Sequence, residues 1–461
     1  MVFDYIPKSR VKNLHLYKYS GTDKSLVSKY ILGPYWNWLV TLFPTSVAPN
    51  TITLSGLLLV FINFATLAYV DPGLECATQL KLDNTAHTLA LNSAFPSDAK
   101  LLPVNPLFSN FGIPGSAAKV DFAPRADSAS RCLPPWVFYT WALCLFAYQS
   151  LDAIDGKQAR RTGMAGPLGE MFDHGCDAIN TTLECVLCCA ALNLGRSVWA
   201  PASLVATLAN FYLTTWEEFH TGTLFLSAFS GPVEGILMIV FIYALTGFVG
   251  GPLFWDRGIL NVTGLAKLDV VKDNLGSRFN LPLNDAFLAF ACFGLLFNIA
   301  GSYSNVVAAR KSRKQSALTP LLGLTPLVLQ IAANIYWIRA NRNFILADSR
   351  ALLPFLSYWG ITFAYNVGLL IVAHVTKAPF PYWNAGIVWS VLMAVDANLP
   401  TSYVQVNPER QLQVIYASLV GAGALYLYFC WDVITTITEE LGMACFVVKP
   451  PTKLKPPKKS Q

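Results

Sequence analysis

The chain has 461 residues, of which 54% are hydrophobic and 13% charged, with a mean hydropathy of +0.44 and a net charge of +6. Soluble domains carry about a quarter charged residues. A soluble fold of this size cannot hide so much apolar surface, which leaves a polytopic membrane protein. The ten cysteines offer no paired CxxC motifs at zinc-ligand spacing, so no structural zinc site is expected. Most, such as Cys185, Cys188 and Cys189, sit in apolar runs and read as small buried hydrophobes. Nothing in the composition points to nucleic acid.

The first residues, MVFDYIPKSRVKNLHLYKYSG, contain no apolar h-region, so no cleaved signal peptide is expected. Ser25 to Val47 follows, with Tyr30, Ile31, Tyr35, Trp36, Trp38 and Leu42 beside Lys24 and Lys29. That mixture predicts an amphipathic helix lying in the membrane interface. Ten apolar stretches then have the length of membrane spans: 51–70, 135–153, 175–195, 200–216, 232–250, 286–306, 318–338, 353–374, 382–398 and 412–433. No internal repeat is visible. The predicted fold class is an all-α integral membrane protein of about ten transmembrane helices plus the N-terminal interfacial amphipathic helix.

Lys and Arg in the connections set the orientation. A cytosolic N-terminus gathers the arm (Lys8, Arg10, Lys12, Lys18), the 157–161 connection, the Arg310–Lys314 loop and the Lys449–Lys459 tail on the cytosolic side. The loop with Arg339, Arg342 and Arg350 disagrees. The same orientation makes 71–134 lumenal, where Cys76 and Cys132 meet an oxidising compartment that permits a disulfide. The sequon Asn261-Val-Thr263 would be lumenal too, whereas Asn180-Thr-Thr182 falls where a span begins. The chain ends Lys458-Lys459-Ser460-Gln461, which resembles a cytosolic dilysine retrieval signal and equally a basic flank.

One stretch carries chemistry: Asp152, Asp155, Gly156, Lys157, Ala159 and Arg160, then Gly169, Glu170, Asp173, His174 and Asp177. Charge against a span is costly, so function is its default explanation. At 100° per residue, Asp152 and Asp155 share a face at the end of the second span. Asp173 and Asp177 share a face at the start of the third, and Glu170 and His174 fall on that arc. Gly156, Gly163, Gly166, Pro167 and Gly169 suit a tight re-entry of the chain. Four carboxylates cannot stay ionised together without cations. Oxygen ligands of this kind favour Mg²⁺, then Mn²⁺, and two ions would clamp a pyrophosphate. The fork of Arg160 would neutralise phosphate oxygens. A transporter's ion site is the alternative, but transporters gather acids from several broken helices near the midplane. Asn366, His374, Asp396 and Asp432 read as packing or interfacial groups, and Glu217, Glu218 and His220 as candidates to line a nucleotide pocket.

The spacing Asp152-x2-Asp155-Gly156-x2-Ala159-Arg160-x8-Gly169-x3-Asp173-x3-Asp177 resembles the full signature of the CDP-alcohol phosphotransferase family. Leu16 to Gly21, Trp36-Asn37, Ala48 to Gly56, Trp216 to Thr223 and Gly231 to Gly235 are similar to segments of its eukaryotic choline- and ethanolaminephosphotransferases. The resemblance covers roughly 10–70 and 135–445, and the loop 71–134 departs from it by its length. It implies transfer of phosphocholine or phosphoethanolamine from CDP-choline or CDP-ethanolamine to diacylglycerol, a membrane lipid, with release of CMP. It implies Mg²⁺ or Mn²⁺ as cofactor, two ions held by Asp152, Asp155, Asp173 and Asp177. Gly156, Ala159, Arg160 and Gly169 would border the CDP moiety, with Asn50 close to it. His174 would be the general base, oriented by Glu170, with Asp177 its rival. A homodimer is implied, and an endoplasmic-reticulum or Golgi membrane with the site facing the cytosol. The chain then divides into the arm and interfacial helix (1–50), a catalytic transmembrane core (51–306), further spans (307–445) and a basic tail (446–461).

Overall fold

A computed structural model describes residues 4–76, 132–226, 232–265, 268 and 280–450. Ten helices of at least 14 residues occur among the described residues: α1 (Pro49–Val70), α2 (Pro135–Thr162), α3 (Pro167–Ala191), α4 (Trp199–Thr221), α5 (Pro232–Phe248), α6 (Leu283–Ser312), α7 (Thr325–Ala340), α8 (Leu352–Thr376), α9 (Ala385–Asn398) and α10 (Pro408–Leu441). Each overlaps one predicted span. Six are long and apolar enough to cross a membrane: α1, α2, α6, α8, α10, and α7 together with the 3₁₀ turn before it. Helices α5 and α9 are apolar but shorter, and α3 and α4 are long but more polar. The protein is an all-α multi-pass membrane protein. Among the described residues the only strands are β1 (Gly21–Asp23) and β2 (Leu224–Leu226), paired in parallel.

Local chemistry explains the helix ends. Proline stands in the first turn of α1, α2, α3 and α10, where its missing N–H has no helical partner to lose. The side-chain oxygens of Asn384 and Asn407 cap α9 and α10. Helices α2, α4 and α10 stop at Gly163, Gly222 and Gly442, each in the left-handed conformation that suits glycine.

Helix α3 lies between α1 and α8, and α4 packs on both α3 and α8. Helix α2 lies along α1 and carries α5, while α7 pairs with α9, and α10 flanks α8. The approach of α1 to α2 depends on Gly56: a Cβ there would stand 3.2 Å from Tyr148 Cδ2 and 3.5 Å from Leu151 Cβ. Of the six span-length helices α8 is the most enclosed, with 83% of its most apolar stretch buried, against 6% for α6.

Residues 26–42 form a continuous helical run where the interfacial helix is expected. Its inner edge buries Leu32, Trp36 and Val40 against Ile52, Ile154 and Val233. Its outer edge exposes Tyr30, Ile31, Trp38 and Leu42, the aromatic and aliphatic mixture of an interface. The end of α2 grips this run: Lys157 donates to Asn37 Oδ1 at 2.9 Å, Gln158 to the Pro44 and Val47 carbonyls, and Arg161 to those of Val40 and Phe43.

The basic connections share one end of the bundle. Arg10 and Asn13 of the arm donate to the Lys377 and Thr376 carbonyls at the end of α8. Arg313 donates to the His220 and Thr221 carbonyls at the end of α4. Cys76 and Cys132 form a disulfide. The discordant loop is partly neutralised, since the Arg350 guanidinium makes two bonds to the Asp348 carboxylate, of 2.8 and 3.1 Å. Of the residues expected to pack, Asp432 accepts from the Tyr5 N–H, Asp396 accepts three N–H groups of the 403–405 turn, and Asn366 bonds Asn384. The dilysine end and most of the long loop lie outside the described residues.

Candidate active site

Only four residues separate α2 from α3, and Gly163 (φ +71°) reverses the chain inside that link. The end of one span therefore faces the start of the next. Carboxylate oxygens of Asp152, Asp155 and Asp173 lie within 4.8 Å of one another. Asp152 Oδ1 and Asp173 Oδ1 are buried with no hydrogen-bond partner. Converging carboxylates repel, and a buried acceptor left unpaired costs free energy. An all-oxygen donor set with free lone pairs fits a hard divalent cation.

Neighbouring hydroxyls hold the cluster in place. Thr53 of α1 donates to Asp155 Oδ2, and Tyr148 of α2 donates to Asp177 Oδ1. Three of the four predicted aspartates thus converge on one point, while the fourth is engaged by Tyr148. Neither hydroxyl was singled out from the sequence. Tyr148 carried a weak signal, standing one turn before Asp152 in an otherwise apolar stretch. Thr53 lies in the Ala48–Gly56 segment noted for its resemblance, but nothing there points to its partner 102 residues away.

Arg160 is exposed, and among the described residues its guanidinium has no hydrogen-bond or ion-pair partner, unlike those of Arg161 and Arg313. It lies back along the helix, with Nη1 3.8 Å from where a Gly156 Cβ would stand. No atom comes within 4 Å of a Cβ built on Gly169, so its surroundings are open, and Ala159 is buried. Asn50 is buried at the start of α1, where its amide donates to Cys445 Sγ at 3.4 Å.

Glu170 departs from its expected partner. The i, i+4 spacing puts it on the arc of His174, yet among the described residues neither carboxylate oxygen has a hydrogen bond. Oε1 lies 3.9 Å from His374 Nε2 on α8, and Glu170, Glu218 and His374 bring ligand atoms within 4.8 Å of one another. His374, expected to be a packing or interfacial residue, stands beside Glu170 and Glu218. The spacing argument missed it because 204 positions separate it from Glu170, and only the packing of α8 on α3 unites them.

The N-terminal arm closes over this region. Pairing of β1 with β2, together with the 2.8 Å bond from the Leu224 N–H to the Ser20 carbonyl, fixes Tyr19 beside the end of α4. Although Tyr19 is 59% exposed, partial desolvation and then the Glu218 and Asp173 carboxylates raise its phenol above its ordinary pKa. It stays a protonated donor at neutral pH. A cavity of about 380 Å³ lies alongside, lined by residues that include Tyr17, Lys18, Phe219, His374 and Lys377.

Residues 132–265 match the family model described as CDP-alcohol phosphatidyltransferase. An uncharacterized class-I CDP-alcohol phosphatidyltransferase family protein of Schizosaccharomyces pombe is 37% identical over 97% of this chain and 98% of its own length. The chain belongs to the CDP-alcohol phosphatidyltransferase family. Among its relatives, choline/ethanolaminephosphotransferase 1 of Saccharomyces cerevisiae is 32% identical, covering 96% of this chain and 98% of its own. Cholinephosphotransferase 1 of the same yeast is 30% identical, covering 98% and 99%. The matched family segment holds all four aspartates and Glu218, while Asn50, Thr53 and His374 lie outside it.

Proposed function

We propose that this protein transfers phosphocholine or phosphoethanolamine from CDP-choline or CDP-ethanolamine to diacylglycerol, giving phosphatidylcholine or phosphatidylethanolamine and CMP. The observation that carries the reading is the cluster of Asp152, Asp155 and Asp173 with its two orphaned oxygens, in a family member related end to end to phosphotransferases of both headgroups.

In this reading Asp152, Asp155, Asp173 and Asp177 hold two Mg²⁺ or Mn²⁺ ions. Bound there, the ions would neutralise the pyrophosphate and the CMP leaving group. The protein's own groups do the rest. Thr53 and Tyr148 keep two of the carboxylates from turning away. Arg160, whose guanidinium has no hydrogen-bond or ion-pair partner among the described residues, takes phosphate oxygens, and the open surroundings of Gly169 admit the CDP moiety beside Gly156, Ala159 and Asn50. His174 accepts the proton of the diacylglycerol hydroxyl as its oxygen attacks phosphorus. Asp177 is the less free acceptor because Tyr148 already occupies one of its oxygens. The site faces the cytosol of the endoplasmic reticulum or Golgi, and the homodimer expected of the family belongs to this reading.

Microsomes carrying the protein, given each radiolabelled CDP-alcohol and diacylglycerol, are expected to release CMP and form labelled phospholipid only with added divalent cation. A protein that moves ions or lipid while releasing no CMP from either donor would overturn the proposal.

A further inference from the structure

We propose that Glu170, Glu218 and His374 form the subsite for the cationic end of the alcohol donor, a headgroup ammonium; this rests on the transferase reading above. The three side chains come from α3, α4 and α8, and their ligand atoms lie within 4.8 Å of one another. Glu170 is only 7% exposed, and both of its carboxylate oxygens are buried without a hydrogen-bond donor. Glu218 is 3% exposed. The basic group beside them, His374, stands 3.9 Å from Glu170, too far to donate a hydrogen bond. A buried carboxylate with no donor, set beside a second buried carboxylate, would be satisfied by a cation from outside the protein.

Position along α3 identifies that cation. Glu170 precedes Asp173 by three residues, just under one helical turn, a rise of about 4.5 Å. A phosphate held at the aspartate cluster, extended by the two-carbon bridge of an amino alcohol, would bring its nitrogen one turn away, beside Glu170 and Glu218. Of the three residues His374 also lines the neighbouring cavity of about 380 Å³, whose wall carries Lys18 and Lys377. Those lysines would favour entry of a diphosphate from that side. The carboxylates further imply discrimination. A primary ammonium can donate hydrogen bonds to the orphaned Glu170 oxygens, whereas a trimethylammonium offers charge alone.

The test is equilibrium binding of CDP-ethanolamine, CDP-choline and CMP to the purified full-length protein, with steady-state KM and kcat in parallel. In Glu218→Gln and Glu170→Gln, affinity for CDP-ethanolamine is expected to fall about tenfold or more. CDP-choline should lose less, and CMP, which has no ammonium, should bind as to the wild type. Retained CMP binding also reports that each variant is folded. His374→Ala, leaving both carboxylates intact, should change donor affinity while sparing CMP. Unchanged affinity for both CDP-alcohols in CMP-competent variants would overturn the assignment and leave the transferase reading standing. Loss of bound Mn²⁺ stoichiometry without loss of donor affinity would also overturn it, by making the cluster a metal site. A wild type that neither binds nor turns over either donor would sink the underlying reading instead.

Discussion

Replacing Tyr148 by Phe removes one atom from the site. The ring is 1% exposed and packs where a Cβ on Gly56 would lie only 3.2 Å from it, so Phe keeps the α1–α2 contact and the fold. What is lost is the hydroxyl that donates to Asp177 Oδ1. A hydrogen bond to a charged group contributes about 1.5–3 kcal/mol. Expressed wholly in the transition state, that is about a 10- to 150-fold loss of kcat/KM. Part of it should appear instead as a higher half-saturating Mg²⁺ concentration, since an unheld Asp177 is a less ordered ligand. CMP release by microsomes, normalised to protein and titrated with Mg²⁺ at saturating CDP-alcohol, separates the two. Wild-type turnover with a wild-type Mg²⁺ profile would refute the idea that Tyr148 organises the cluster.

Asp152→Asn and Asp173→Asn should reduce CMP release to background at saturating Mg²⁺ while the protein still inserts, and substantial turnover in either would remove the metal assignment. His174→Ala should lower kcat by about 10²- to 10⁴-fold, the usual contribution of a positioned base; a near-normal kcat would move proton acceptance to Asp177. Gly56→Leu places carbon atoms where Tyr148 and Leu151 already stand. It should lower the thermal midpoint in detergent and activity together, and a variant that melts like the wild type would contradict the close-approach account of α1 and α2.

The aspartate site was readable because its ligands are local. Asp152 with Asp155, and Asp173 with Asp177, are each one turn apart on helices joined by four residues, so helical periodicity alone predicts that they face each other. Groups that adjust the site come from elsewhere in the chain. Thr53 reaches Asp155 across 102 positions, and Glu170 meets Glu218 and His374 only because α4 and α8 pack on α3. The pairing of Gly21–Asp23 with Leu224–Leu226 was likewise hidden, although the segments leading into the two strands, Leu16–Gly21 and Trp216–Thr223, each carry the family resemblance.

Hydropathy located the spans but could not rank them, for a physical reason. Lipid tails and a protein interior are equally apolar, so a helix meeting either solvent needs the same side chains. Helices α6 and α8 are about equally apolar, yet 6% of the most apolar stretch of α6 is buried against 83% of that of α8. The useful sign is the ionisable residue that each of three helices brings toward one point: His374 on apolar α8, Glu218 on α4 and Glu170 on α3, each near the end of its helix that adjoins the aspartates. In lipid such groups are costly unless something satisfies them. Their convergence beside two orphaned carboxylate oxygens is therefore better explained by a ligand than by packing, which would have favoured Leu or Phe at all three positions.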